Sequence, residues 1–175
     1  MSIIISVLSL TLATTCVVFA KIPQLNRIEF VEYGIYTVDR AIQGRDAVGI
    51  NKASAINVRH AATIRTVPAQ IGVNFGFRYK VIGEPHDTPV DLKEIVIFPA
   101  PGLQPSPSSK PIAQAELALQ SRIGQVGYAS YTLEDNFELV PGTWVIQIWH
   151  GNRKLAEQSF QVIHPECDSG TCAGL

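Results

Sequence analysis

Residues 72–81 read GVNFGFRYKV, and every second residue of this stretch is apolar. Successive side chains of an extended strand point to opposite sides, so a two-residue period places the apolar residues on one face. Aromatic and β-branched residues also favour strands. The apolar positions are Val73, Phe75, Phe77, Tyr79 and Val81. The stretch predicts a strand whose regular face lies in a hydrophobic core.

Other stretches with strand character lie on both sides of it, separated by glycine, proline and polar turn residues. They are residues 27–39, with an irregularity at Gly34, and residues 58–67, 90–98, 113–123, 128–133, 143–150 and 153–162. Residues 113–123 have helical propensities, but their strict alternation predicts a strand. Seven or eight short strands without a good helix predict an all-β, immunoglobulin-like antiparallel β-sandwich.

Two stretches interrupt the strands. Residues 40–57 contain two glycines and no sustained period, which predicts a loop. Residues 99–111 (PAPGLQPSPSSKP) are rich in proline, which has no N–H to give to a ladder. This segment is predicted to be an extended connecting loop; the alternative is a proline-rich ligand for the groove of a partner.

The last two strands form a predicted hairpin whose register follows from parity. A loop with an odd number of residues pairs Trp144 with Phe160 and Ile148 with Ala156, whereas an even loop sets Trp144 against Ser159. The odd register keeps apolar residues together. The hairpin should therefore have a three-residue loop or contain a β-bulge.

The strand at residues 143–150 has two different faces. Trp144 lies on the apolar face and is predicted to be the central core anchor of the fold. Trp149 lies on the opposite face, where Trp149, Arg153 and Lys154 form a candidate partner surface. The alternative is that Trp149 packs under a loop or across from Leu155.

Length and composition indicate one folded domain. The chain has 175 residues, 46% hydrophobic and 17% charged, which is enough apolar surface for a core. We place the β-sandwich domain at residues 26–164 and a flexible tail at 165–175. The formal net charge of −1 offers no broad basic field, so nucleic acid is not an expected partner.

Residues 1–20 are uncharged and largely apolar, and they end in Val18-Phe19-Ala20. This pattern predicts a signal peptide cleaved before Lys21, although the usual positive charge at its start is missing. Residues 3–20 could instead remain as a membrane anchor or as a buried segment. Cleavage would place the protein in the periplasm or outside the cell.

The three cysteines agree with export. Removal of Cys16 with the first twenty residues leaves Cys167 and Cys172, an even pair separated by a turn-forming insert. In an oxidising compartment we expect these two to form a disulfide. A metal site is the alternative, because other ligand types lie nearby, namely His164, Glu166 and Asp168.

No catalytic, phosphate-binding or zinc signature is present in the sequence. His60, His86, His150 and His164 lie on separate segments. No catalytic, cofactor-binding or metal residue is therefore assigned, and no cofactor is expected. The leading hypothesis is a non-catalytic binding module for a protein or glycan of the cell envelope. An envelope hydrolase or metal-dependent enzyme that uses the scattered histidines and acidic residues is the alternative, and a structural part of an assembly is a third.

Four motifs carry a resemblance to a known family. RIEFVEYGIY, TVPAQIGVNFGFRY, FPAPGL and FELVPGTWVIQIWHGNRKLAEQSFQV are similar to those of a bacterial domain-of-unknown-function family, number 3859. The likeness covers about residues 27–163. It implies an uncharacterised immunoglobulin-like domain and brings no catalytic residues.

Overall fold

The structure is a computed structural model. It describes the backbone of residues 22–45 and 51–165, and the side chains of residues 22–39 and 56–165. These residues form nine strands and one turn of 3-10 helix, Asn136–Glu138. The strands are β1 (Gln24–Arg45), β2 (Asn51–Ala62), β3 (Thr66–Pro68), β4 (Asn74–Glu84), β5 (Pro89–Ile97), β6 (Gln114–Arg122), β7 (Val126–Thr132), β8 (Gly142–His150) and β9 (Arg153–Ile163). Over the described residues, no helix has the length and apolar character needed to cross a membrane.

The strands form two sheets that pack face to face. The four-stranded sheet has the order β2-β1-β4-β7, and the five-stranded sheet has the order β3-β9-β8-β5-β6. All neighbouring strands are antiparallel except β3 and β9, which are parallel. The predicted all-β, immunoglobulin-like sandwich is therefore confirmed.

The core lies between the inner faces of the two sheets. Phe75, Phe77, Tyr79 and Val81 of β4 are at most 1% exposed, which confirms the core face predicted from their alternation. Trp144 of β8 enters this core from the opposite sheet and is fully buried. Its ring centroid lies 5.0–5.8 Å from three others, those of Phe75, Phe98 and Tyr131. Tilted and edge-to-face contacts of this kind join the two sheets.

The predicted loop at residues 40–57 is wrong. β1 continues to Arg45 and β2 begins at Asn51, so most of this segment belongs to an antiparallel pair. The β1–β2 pairing contains three register shifts, at Ile35/Tyr36, Thr37/Asp39 and Ile42/Gly44. Each shift inserts an unmatched residue and so interrupts the two-residue period by which a strand is recognised.

The single strand predicted at residues 58–67 is also wrong. β2 ends at Ala62, and the chain then crosses to the other sheet, where β3 pairs with β9. Pro68 ends β3 on an outer edge, where a missing N–H breaks no ladder. The described sandwich has nine strands instead of seven or eight because this segment contributes one strand to each sheet.

Gly34, where we expected an irregularity, lies at a close approach between β1 and β2. Gly34 of β1 has a φ of +138°, and a Cβ there would lie 1.9 Å from the carbonyl oxygen of Ala62. A register shift follows at once, between Ile35 and Tyr36. Any side chain at this position would force β1 and β2 apart.

The register predicted for the last hairpin is confirmed. Trp144 pairs with Phe160 and Ile148 with Ala156, and a register shift separates Ile148 from Trp149. This shift is the predicted bulge. The strand predicted at residues 113–123 is confirmed as β6. The proline-rich connection before it forms no strand, and the buried Leu103 anchors it through backbone hydrogen bonds with Ile112.

Candidate functional site

The outer face of the five-stranded sheet carries the predicted partner surface. Alternation along β8 directs Val145, Gln147 and Trp149 away from the core. Trp149 is half-buried and lies between Lys93 of β5 and Lys154 of β9, its partners in the two ladders. An aromatic residue with a lysine on each neighbouring strand is thus presented on a sheet face.

Hydrogen bonds fix the side chains around this ring. The indole Nε1 of Trp149 donates to Oε1 of Gln147 over 2.8 Å, and Nε2 of Gln147 donates to Oε2 of Glu157 over 2.8 Å. Nζ of Lys154 donates to the same carboxylate oxygen over 2.5 Å. We call Lys93, Gln147, Trp149, Lys154 and Glu157 the Trp149 strip. Gln147, Glu157 and Lys154 form a chain of hydrogen bonds that ends at the indole, so the ring is positioned before any partner arrives.

The strip carries a firmly ionised carboxylate. The hydrogen bond from Lys154 lowers the pKa of Glu157 below its usual value, and the bond from Gln147 acts in the same direction. Lys93 forms a second ion pair at 3.0 Å with Glu116 of β6. The strip therefore offers an aromatic face together with charged donors and acceptors, the groups that bind sugar hydroxyls or a polar protein surface.

Arg153 has a different position from its predicted neighbours. Its guanidinium donates to the carbonyl oxygens of Leu25 and Asn26 at the start of β1. These bonds join the β8–β9 turn to the four-stranded sheet. Lys154 is thus the cation of this turn that lies beside Trp149.

Three of the four described histidines have separate partners, and the fourth, His164, is exposed after the end of β9. Nε2 of His60 lies 3.1 Å from the carbonyl oxygen of Tyr33, and its Nδ1 lies 3.9 Å from a carboxylate oxygen of Glu32. Nδ1 of His150 lies 2.9 Å from the carbonyl oxygen of Asp91, whereas His86 packs against Gly124.

No group of three metal-ligating side chains forms within residues 22–39 and 56–165. Cys167, Cys172 and the predicted signal segment at 1–20 lie outside the described residues.

Sequence reasoning missed a buried carboxyl group. Glu94 of β5 shares the inner face with Leu92 and Val96, is 4% exposed, and its Oε1 has no hydrogen-bond partner in the described part of the chain. Burial raises the pKa of Glu94 to about 8, against a smaller opposite effect of the Ser130 backbone. An acidic residue in step with an alternating apolar face is the sequence signal that could have revealed it.

A cleft of about 530 Å³ opens between β6 and β7, which are edge strands of the two sheets. Its lining includes Tyr79, Leu119, Val126 and Tyr128 together with polar groups of the β6–β7 turn. Burial raises the pKa of Tyr128, and Glu94 contributes to this rise. Tyr128 thus belongs to the cleft lining and also lies within electrostatic reach of the buried carboxyl group.

Comparisons with known proteins agree with the fold. A family model described as "Domain of unknown function (DUF3859)" matches residues 25–162. An immunoglobulin-like protein from Pseudomonas aeruginosa, known from a crystal structure, is similar with a TM-score of 0.53 and 23% identity over 79% of this chain and 98% of that one. This likeness shows a shared fold. No curated protein matches the chain. Because the family model spans most of the sequence and confirms the resemblance of its motifs, the chain belongs to domain-of-unknown-function family 3859.

Proposed function

We propose that the protein is a non-catalytic binding module exported to the cell envelope, where it holds a glycan or a protein against the Trp149 strip. The observation that carries the proposal is the position of Trp149, a half-buried ring on an outer sheet face between Lys93 and Lys154. Partly buried aromatic residues ringed by polar groups are the usual anchors of binding surfaces.

The organisation of the strip supports binding. Gln147 and Glu157 hold the indole N–H and the Lys154 ammonium in place, so little side-chain freedom is lost when a partner binds. The enzymatic alternative needs convergent acid, base and nucleophile groups. The described structure instead gives separate partners to three histidines, His60, His86 and His150. Of these three, His60 lies beside a carboxylate, that of Glu32.

The binding test uses Trp149→Ala. We expect the wild-type chain to retain an envelope glycan on an array or an envelope protein in a pull-down. We expect Trp149→Ala to weaken that capture by tenfold or more, in line with the ~2 kcal/mol that a binding hot spot contributes. Equal capture by the wild type and by Trp149→Ala would contradict binding at the Trp149 strip.

Phe30→Ala is the matched control. Phe30 is also a partly exposed aromatic residue, 48% exposed, but it belongs to the four-stranded sheet, where its ring packs against Phe77 at the border of the core. Its truncation should leave capture unchanged. Loss of capture in both variants would indicate general surface hydrophobicity instead of a site at Trp149.

Export rests on the uncharged apolar segment 1–20 and on the even pair Cys167 and Cys172 that its removal leaves. Contact with the membrane is proposed only through residues 3–20, if they are not cleaved. Mass spectrometry of fractionated cells tests both points. A chain that begins at Lys21 in the soluble envelope fraction is the expected result, and an intact Met1 in the cytosol contradicts export and the disulfide together.

A further inference from the structure

β6 is an open edge of the five-stranded sheet. It pairs with β5 through nine successive residue pairs, Pro89↔Arg122 to Ile97↔Gln114, without a register shift. The opposite edge, β3, has three residues and includes Pro68, and β2 at the edge of the other sheet is interrupted by register shifts. Prolines and bulges are the usual protection of sheet edges against pairing with another chain. β6 contains neither.

The ladder with β5 shows which backbone groups of β6 are free. The N–H of Phe98 donates to Ala113 over 2.9 Å, and the N–H of Ile123 donates to Thr88 over 3.0 Å. Both bonds belong to the antiparallel register of β5 and β6, so the odd-numbered residues of β6 face β5. The N–H and C=O groups of the even-numbered residues point to the open side. These residues are Gln114, Glu116, Ala118, Gln120 and Arg122.

We propose that β6 pairs antiparallel with β6 of a second copy of this chain, about a twofold axis at Ala118. In this register the exposed Ala118 lies opposite its own symmetry mate. Glu116 lies opposite Gln120, which provides a hydrogen bond and avoids like charges. The sequence QAELALQSR of β6 is thus complementary to itself.

Two further features favour this register. Leu117 belongs to the inner face of the sheet, opposite Glu94, and yet is 41% exposed, because nothing in the described chain covers the end of the sheet. The twofold pairing places Leu117 against Leu119 of the second copy and covers both. The three central residue pairs supply about six backbone hydrogen bonds between copies. The interface is independent of whatever the Trp149 strip binds.

A disulfide test reports the register directly. The native cysteines at 16, 167 and 172 are replaced by serine, and Ala118→Cys is added. In a hydrogen-bonded antiparallel pair the Cα atoms are about 5.5 Å apart, within the range of a disulfide. Gln114→Cys is the matched control: it lies on the same open side, but its two copies would be about 27 Å apart in this register. This disulfide forms only when two β6 strands lie side by side. Association of two chains through residues 1–20 would not by itself produce it.

We expect oxidation to link Ala118→Cys into a covalent dimer at least about tenfold faster than Gln114→Cys. Equal rates for the two variants, or no link at position 118, would overturn the proposal.

A second test measures mass in solution. Sedimentation of the wild-type chain over a range of concentrations should show a dimer, and Ala118→Lys should weaken dimerisation about tenfold because it places two like charges at the axis. Ser159→Lys adds the same charge at an exposed position of β9 and should leave the dimer intact. Unchanged far-ultraviolet circular dichroism confirms that the lysine variants fold. A monomeric wild type, or an Ala118→Lys variant that dimerises like the wild type, contradicts the pairing.

Discussion

β8 carries two tryptophans with different environments. Trp144 is fully buried, and its Nε1 donates to the carbonyl oxygen of Val140. Trp149 is half-buried on the other side of the sheet, and its Nε1 donates to Gln147 in a polar network. Both indole N–H groups are satisfied within the chain. The comparison shows that the face of the sheet, and not the type of residue, separates a stabilising side chain from one available to a partner.

The largest expected effect is that of Trp144→Ala. Removal of a fully buried indole typically costs about 3–5 kcal/mol, a large part of the roughly 5–15 kcal/mol that stabilises a domain. We expect this variant to unfold or nearly unfold, whereas Trp149→Ala should change the free energy of unfolding by about 1 kcal/mol or less. Thermal and urea denaturation of both variants measures the difference. A greater loss in Trp149→Ala would mean that the two faces of β8 contribute in the reverse order.

Glu94→Gln extends the comparison to carboxyl groups on the inner face. The pKa of Glu94 is raised by burial from an unfolded value near 4.5 to about 8, so the folded state holds a proton that the unfolded state releases between these values. The stability of the wild type should therefore fall as pH rises from about 4.5 to about 8. Glutamine has no proton to lose, so Glu94→Gln should remove this decline and be more stable than the wild type at pH 8.5 by a few kcal/mol, since each unit of pKa difference corresponds to about 1.4 kcal/mol.

Urea titrations of the wild type and Glu94→Gln at pH 5 and pH 8.5 provide the measurement. The two chains should differ more at the higher pH. A wild type as stable at pH 8.5 as at pH 5 would contradict a buried, protonated Glu94.

The smallest effect is expected from Glu157→Gln, the matched substitution on the outer face. The pKa of Glu157 is lowered by Lys154, so its ionised form stabilises the fold above the unfolded pKa, and this contribution is lost as pH falls. Because the carboxylate is about 41% exposed, the loss at neutral pH should be less than about 1 kcal/mol and should shrink in high salt. Urea denaturation at low and high salt tests it. A gain in stability would contradict a stabilising role of the ionised Glu157 carboxylate.

Sequence patterns were sufficient where one face of a strand is regular. The alternation from Phe75 to Val81 and the parity that pairs Trp144 with Phe160 depend only on neighbouring residues and on the requirement to keep apolar groups together. β6 was recognised for the same reason, because its alternation outweighs its helical propensities.

The same reasoning failed where the structure depends on contacts remote in sequence. Bulges in the β1–β2 pair erase the period, and the crossing after Ala62 is set by the sheet that β3 joins. Arg153 reaches the carbonyl oxygen of Leu25, which is 128 positions away along the chain. The alternation of β5 places Glu94 in step with apolar residues, but the groups that bury it lie on the other sheet. No local pattern contains these partners.

The register of the five-stranded sheet connects the two proposals through one row of residues. Trp149 pairs with Lys93, and Lys93 pairs with Ala118, the position of the proposed twofold axis. Across the paired copies the order of strands would be β8, β5, β6, β6, β5 and β8, so the two indole rings would share one row about 24 Å apart. A ligand with repeating units could engage both rings at once. Its retention would then reflect avidity, which a single weak contact with either copy could not supply.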